Sequence, residues 1–120
     1  MNWFSWFAFG GAVALFVLSK RLFLISPTVA RDCLKEGARV IDVRTEAEFQ
    51  SGHLPKAINI PLDRLSEEIA RCAPDKERPV LLHCLSGGRS GIARGMLKRM
   101  GYRRAFNLGS YGRAEKILAG

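Results

Sequence analysis

The sequence predicts an α/β domain with a mostly parallel sheet and helices on both faces, preceded by one transmembrane helix. Short apolar runs alternate with amphipathic stretches from residue 26 onward, as in strands joined by helical crossovers. A cysteine and two glycines lie between one such run and a helical pattern. The first 25 residues contain no acidic residue and only two basic ones. We therefore expect a membrane anchor over residues 1–25 and one domain over residues 26–120.

The apolar N-terminal segment is predicted to cross the inner or cytoplasmic membrane once. Residues 3–18 carry no charge, and as a helix they would span about 24 Å. A hydrocarbon core is about 30 Å thick, but Lys20 and Arg21 can snorkel and residues 22–25 are also apolar. Because this basic pair follows the apolar run, the positive-inside rule places the domain in the cytoplasm. The alternative is a cleaved signal peptide, but no basic residue precedes the run.

The composition limits what the domain can bind. The three cysteines are widely spaced and form no CxxC pair, so neither a disulfide framework nor a zinc site is indicated, and we expect no metal or other cofactor.

The net charge is +8, and from residue 89 onward eight basic residues accompany one acidic residue. We interpret this basic third as a solvated helix face, with attraction of small anions or contact with anionic lipid as alternatives. Nucleic-acid binding is not expected, because aromatic residues are not interleaved with the basic ones.

The first half of the domain alternates helices with strands. Ser26 and Pro27 are typical of a helix N-terminus, and Gly37 is typical of a helix end. The run after Gly37 is rich in β-branched residues, and apolar residues recur at helical spacing from Leu62 to Cys72. These patterns predict helices over residues 28–36, 46–50 and 62–72 and strands over residues 39–43 and 57–61.

The second half continues the same alternation. Pro79 precedes a short apolar run, which predicts a buried strand over residues 79–82. Apolar residues then recur at helical spacing from Ile92 to Met100, and we expect Gly101 to end that helix. A strand over residues 105–108 and a closing helix over residues 110–118 complete the predicted fold.

The stretch over residues 83–90 is the candidate site. Cys84 leaves the end of a strand, and Gly87 and Gly88 allow several backbone N–H groups to point at one place. The following helix N-terminus adds partial positive charge, and Arg89 adds a full one. Such surroundings stabilise a thiolate and lower its pKa. We therefore interpret Cys84 as a nucleophile, and the alternative is a small buried hydrophobic residue in a plain turn.

Two further stretches are expected beside Cys84, because ligands of open parallel sheets lie at the carboxyl ends of the strands. One runs from Asp42 to Arg44, and the other covers residues 107–110. Asp42 and Arg44 are predicted to support the site, as an ion pair or cap with Glu48 that holds the loop beneath it. His83 should point to the face of the strand opposite the sulfur, which argues against a Cys–His dyad.

Three stretches together resemble the rhodanese-like sulfurtransferase domain. They are VIDVRTEAEFQSGHLPKAINIPL over residues 40–62, VLLHCLSGGRS over residues 80–90 and NLGSYGRAEK over residues 107–116. The resemblance covers nearly all of residues 26–120 and implies a rhodanese-like fold in a single-domain sulfurtransferase. It also implies that Cys84 is the active cysteine and that the loop from Leu85 to Arg89 surrounds its persulfide.

The resemblance further implies a reaction. Cys84 would accept a sulfane sulfur from a small anionic donor such as thiosulfate and pass it, through a persulfide, to a thiol or cyanide. The expected substrate-binding residues are Leu85, Ser86, Gly87, Gly88, Arg89 and Ser90. Related phosphatase-like domains separate cysteine and arginine by one residue more than the four between Cys84 and Arg89, so this tighter loop favours sulfur over a phosphoryl group. The remaining alternative is a membrane-tethered, non-catalytic rhodanese-like binding module.

Overall fold

A four-stranded parallel sheet forms the centre of the computed structural model, which describes residues 24–120. The strands are β1 (Arg39–Asp42), β2 (Ile58–Asn59), β3 (Val80–His83) and β4 (Ala105–Gly109), in the spatial order β2-β1-β3-β4. In the register of the two central strands, Arg39 lies opposite Val80 and Asp42 opposite His83. The predicted mostly parallel sheet is therefore confirmed, and the carboxyl ends of β1, β3 and β4 meet at one edge.

In the part of the chain that the structure describes, five α-helices connect and cover the strands. They are α1 (Pro27–Lys35), α2 (Glu46–Ser51), α3 (Leu65–Cys72), α4 (Gly88–Arg99) and α5 (Tyr111–Ala119). Four of them lie within a residue or two of the predicted bounds, apart from the first turn of the helix predicted over residues 62–72, which is a 3₁₀ turn over Leu62–Arg64, whereas α4 begins four residues before the predicted helical pattern at Ile92. That turn uses i to i+3 hydrogen bonds, in which Arg64 N–H donates to the Pro61 carbonyl and Leu65 N–H to the Leu62 carbonyl.

Two hydrophobic cores lie on opposite faces of the sheet, because successive side chains of a strand point to opposite sides. On one face, Leu82 and Cys84 pack with residues of α3 and α4, including Ile69 and Leu97. On the other face, Leu81 packs with residues of α1 and α5. The predicted helices on both faces are thus confirmed, and the sulfur of the candidate site lies on the α3–α4 side.

The described chain begins two residues before the predicted domain boundary at residue 26. Leu24 forms an isolated bridge with Asn107, and Ile25 N–H donates to the Asn107 carbonyl at 3.0 Å. Ile25 is also buried in the core beside α1 and α5. Leu24 and Ile25 therefore pack with the domain over residues 26–120.

The predicted anchor over residues 1–25 otherwise lies outside the described residues. Within residues 24–120, no helix is long and apolar enough to cross a membrane.

Candidate active site

An irregularity in the sheet positions the cysteine loop. Between β3 and β4, Leu82 lies opposite Asn107 but His83 lies opposite Gly109, so one residue of β4 is passed over. Cys84 N–H then donates to the Gly109 carbonyl at 3.3 Å, directly beyond the last residue of β3. The loop continues to Gly87, which is the N-cap residue of α4. The structure therefore places Cys84 between a strand end and a helix start, as the sequence predicts.

Hydrogen-bond donors of the loop surround the Cys84 sulfur. Gly87 N–H donates to Sγ at 3.0 Å and Ser90 N–H at 3.4 Å, and the Ser90 hydroxyl lies at 3.4 Å. Burial raises the pKa of this thiol, but the Ser90 hydroxyl and the N–H groups of Ser90, Gly87 and Ser86 outweigh burial, and the net pKa is lowered. The loop therefore stabilises a thiolate without a hydrogen bond from a charged group.

The Ser90 hydroxyl can serve either protonation state of Cys84. Its oxygen lies 3.2 Å from the Gly87 carbonyl as well as 3.4 Å from Sγ. Beside a thiol, the hydroxyl donates to Gly87 while its oxygen accepts from the sulfur. Beside a thiolate, the hydroxyl proton turns to the sulfur, and the Gly87 carbonyl still accepts from Gly91 N–H at 3.1 Å. Ser90 thus adjusts to the charge on sulfur by rotating one bond.

Asn107 holds the loop against β4. Its side-chain amide donates to the Gly87 carbonyl at 3.2 Å, and its side-chain oxygen accepts from Gly109 N–H at 2.9 Å. Tyr111 N–H adds a bond to the Leu85 carbonyl at 3.1 Å. The stretch over residues 107–110 was expected near the site, but no role for Asn107 was identified from the sequence. The feature that could have indicated this role is an amide side chain at the end of a strand, because a buried polar side chain without a hydrogen-bond partner is costly.

Asp42 and Arg44 form a buried ion pair, as predicted. Arg44 Nε and Nη2 donate to the carboxylate at 2.8 to 3.1 Å, and the Arg44 N–H adds a bond at 2.9 Å. Nη2 also donates to the Gly52 carbonyl at 2.8 Å, and the guanidinium lies over the Tyr111 ring. The carboxylate hydrogen bond raises the pKa of Arg44. Both residues are buried, and the pair connects the end of β1 to Gly52 and Tyr111.

Glu48 does not join the Asp42–Arg44 pair, so this part of the prediction is wrong. Its carboxylate binds Arg89, with Nη1 donating at 2.6 Å and Nη2 at 3.0 Å. Thr45 N–H also donates to the carboxylate, in a capping box that starts α2. The hydrogen bond from Arg89, followed by that from Thr45, lowers the pKa of Glu48 to about 2. The positive charge of Arg89, which was expected to act on Cys84, is therefore paired with a carboxylate.

His83 is not placed to act as a base for Cys84. It is fully buried, and its Nε2 lies 3.9 Å from an Asp42 carboxylate oxygen, on the other side of the strand from the sulfur. Burial lowers its pKa and thereby favours the neutral ring. Among residues 24–120, neither ring nitrogen finds a hydrogen-bond partner. The expected absence of a Cys–His dyad is thus consistent with the geometry.

The remaining loop residues differ in exposure. Leu85, Ser86 and Gly88 are exposed, whereas Cys84, Gly87 and Ser90 are buried. Cys84 is 0 % exposed, so its sulfur lies beneath the loop and not at the surface.

Replacing Ser90 with alanine should raise the pKa of Cys84, because the hydroxyl that stabilises the thiolate is lost while the N–H donors of the loop remain. At a pH below the pKa of the variant, less thiolate would then be present than in the parent protein. The ultraviolet absorbance of the thiolate, followed against pH, measures this change. A Cys84→Ser variant gives the contribution of the other two cysteines, and an unchanged titration midpoint in Ser90→Ala would contradict the assignment.

Replacing Gly87 with alanine should lower the free energy of unfolding by about 1–3 kcal/mol, because φ at this position is +97°. The new Cβ would also lie 3.3 Å from the Gly109 Cα. Gly88→Ala is the matched control, since a Cβ there meets no atom within 4 Å. Urea denaturation of both variants measures the difference. Equal stabilities for the two would show that Gly87 tolerates a side chain.

Comparisons with known proteins agree with this geometry. A family model described as "Rhodanese-like domain" matches residues 26–112. The thiosulfate sulfurtransferase PspE of Escherichia coli is 44% identical over 69 residues, which cover 58% of this chain and 66% of that protein. A sulfurtransferase of Allochromatium vinosum is 34% identical over 73 residues, which cover 61% of this chain and 66% of that protein. The chain thus spans about two thirds of the length of these two relatives.

Solved structures are similar as well. An E. coli rhodanese with anions has a TM-score of 0.62 and 39% identity, and the match covers 63% of this chain and 89% of that one. The human single-domain sulfurtransferase TSTD1 has a TM-score of 0.66 and 27% identity, and the match covers 78% of this chain and 96% of that one. The similarity to named sulfurtransferases supports the expected rhodanese-type enzyme, and the chain belongs to the rhodanese-like domain family.

Proposed function

We propose that this chain is a sulfurtransferase that carries a sulfane sulfur on Cys84 as a persulfide. The observation that carries the proposal is the Cys84 sulfur itself, which accepts hydrogen bonds from Gly87 and Ser90 at the N-terminus of α4. These donors favour a negative charge on sulfur, and the helix dipole adds to the same effect. A terminal persulfide sulfur is also an anion, so the same loop suits both the resting enzyme and the intermediate.

The first step loads the cysteine. The Cys84 thiolate attacks the sulfane sulfur of a donor such as thiosulfate and forms a new S–S bond. The bond between the sulfane sulfur and the sulfonate sulfur breaks, and sulfite leaves with the electron pair. The total charge is unchanged, because the thiolate and the dianion are replaced by a persulfide anion and sulfite. No general base is needed, since the loop already favours the thiolate.

The second step unloads the cysteine. A nucleophilic acceptor, which is a thiolate in the cell or cyanide in an assay, attacks the outer sulfur of the persulfide. The S–S bond breaks towards Cys84 and regenerates its thiolate. The thiolate is again stabilised by Gly87 and Ser90, which makes Cys84 a good leaving group. Two half-reactions through one covalent intermediate predict ping-pong kinetics.

A second candidate function is a non-catalytic binding module. The burial of Cys84 is the observation that favours it, because a docking domain needs no accessible sulfur. The donors that surround Sγ favour the enzyme, because a docking domain has no need to stabilise a thiolate. The names of the two E. coli relatives and of TSTD1 point in the same direction.

Exposure to thiosulfate should add one sulfur atom to the protein, and cyanide should remove it. Intact mass spectrometry measures both changes, because the persulfide is covalent. Cys84→Ser should gain no sulfur, whereas the matched variant Cys33→Ser/Cys72→Ser, which keeps only Cys84, should gain it fully. A parent protein that gains no sulfur from thiosulfate or from other sulfane donors would contradict the proposed activity and favour the binding module.

We also propose that residues 3–18 anchor the domain to the inner or cytoplasmic membrane, with the domain on the cytoplasmic side. The proposal follows from the uncharged apolar run and from Lys20 and Arg21 after it.

In a bacterial expression host, the full chain should remain in the membrane pellet after carbonate extraction, whereas a chain that starts at Leu24 should stay in the supernatant. Protease should digest the domain in inside-out vesicles only. Release of the full chain by carbonate would contradict the anchor, and digestion in right-side-out vesicles would contradict the orientation.

A further inference from the structure

We propose that Glu48 determines the charge of the sulfur donors that the site accepts. By binding Arg89, it disfavours donors with two negative charges, such as thiosulfate, relative to persulfides that carry at most one. This inference rests on the proposed function and assigns a specificity-determining residue to the same site.

The geometry of the Glu48–Arg89 pair carries the inference. Arg89 is the second residue of α4 and precedes Ser90, whose N–H contacts the Cys84 sulfur. The hydrogen bond to Glu48, followed by the charges of Glu48 and Cys84, raises the pKa of Arg89. Both terminal nitrogens donate to the Glu48 carboxylate, at 2.6 and 3.0 Å. A forked pair of this kind satisfies the donors that an incoming oxyanion would use.

Glu48 is held in place independently of Arg89. Its carboxylate accepts from both the N–H and the hydroxyl of Thr45, each at 3.1 Å, and Glu48 N–H donates back to the hydroxyl at 3.2 Å. The pKa of about 2 keeps the carboxylate ionised throughout the neutral range. Glu48 therefore presents a fixed negative charge to Arg89, and a donor anion has to compete with it.

The second arginine of the site is also paired. Arg44 is buried and binds the Asp42 carboxylate through two of its nitrogens. The two arginines of the recognised motifs are thus each matched by one carboxylate. The negative charge on the transferred sulfur is therefore stabilised by the neutral N–H donors of Gly87 and Ser90.

The exposed part of the loop is uncharged. Leu85 is 58% exposed, while its carbonyl is fixed by Tyr111 N–H, and its neighbour Ser86 is exposed as well. Apart from the paired Arg89, residues 85–90 contain no charged side chain. An approaching donor therefore meets an apolar side chain and neutral groups first. These surroundings suit an organic persulfide better than a small dianion.

The transfer from an organic persulfide balances in the same way as the transfer from thiosulfate. The Cys84 thiolate attacks the outer sulfur of the donor, the donor S–S bond breaks, and the organic thiolate leaves with the electron pair. A persulfide forms on Cys84, and no oxidant or reductant is consumed.

The test compares thiosulfate with 2-hydroxyethyl persulfide in the parent protein and in Glu48→Gln. Glutamine keeps the side-chain length and an oxygen for Thr45, and it is accepted at this position of a capping box. The ratio of kcat/KM for thiosulfate to kcat/KM for the persulfide should rise about tenfold, because Arg89 becomes available to the dianion. The gain should shrink at about 1 M salt, where the Debye length is about 3 Å.

Glu46→Gln is the matched control. Glu46 lies on the same helix, is exposed, and faces Arg64 at 3.8 Å, so its removal changes the net charge equally without touching Arg89. A rise in the ratio of the same size in Glu46→Gln would assign the effect to net charge and overturn the proposal. An unchanged or lower ratio in Glu48→Gln would overturn it as well.

A binding measurement separates this proposal from the proposed activity. In a Cys84→Ser background, no sulfur is transferred, and calorimetry with thiosulfate reports anion affinity alone. Adding Glu48→Gln should lower the dissociation constant about tenfold, and further addition of Arg89→Gln should abolish that gain. If the anion affinity rises but Cys84 never accepts sulfur from any donor, the proposed activity fails and the role of Glu48 stands. If sulfur is transferred but the affinity does not rise, the role of Glu48 fails.

Discussion

Keeping a negative charge on a buried sulfur is the constraint on which the rest of the site depends. Burial alone would raise the pKa of Cys84, and no charged group within residues 24–120 donates a hydrogen bond to its sulfur. The compensation comes from N–H groups that point inward only because Gly87 adopts a positive φ and α4 begins directly after it. The irregularity between β3 and β4 and the amide of Asn107 keep that loop in place.

Local patterns in the sequence accounted for most of the fold. Alternating apolar runs located the strands, and residues such as Ser26, Ser110 and Gly101 marked helix ends within a residue or two. The cysteine loop could be placed for the same reason, since its strand, glycines and helix are contiguous. The packing of Ile25 in the core could not be predicted, because Ile25 is as apolar as the segment before it and composition does not distinguish a core residue from an anchor residue.

The charge pairing of the site could not be read from the sequence. Thr45 and Glu48 form a recognisable capping box, which indicates a helix start but not what else the carboxylate binds. Arg89 lies 41 residues further along the chain, and only the fold brings it to Glu48. Arg44 was the candidate partner of Glu48 that lies nearer in the sequence, but its guanidinium binds Asp42, two residues away. Local pairing predicted one ion pair correctly, and tertiary structure determined the other.

The contact between Leu24 and Asn107 has a mechanical consequence. The backbone of Asn107 binds Ile25, while its side chain binds Gly87, so one residue joins the first described segment of the chain to the cysteine loop. The chain is therefore paired with β4 from its first described residue, Leu24, onward. Tension applied along the chain from its N-terminal side would therefore reach the edge strand at Asn107, and helix α5 through Arg113, whose guanidinium donates to the Ile25 carbonyl.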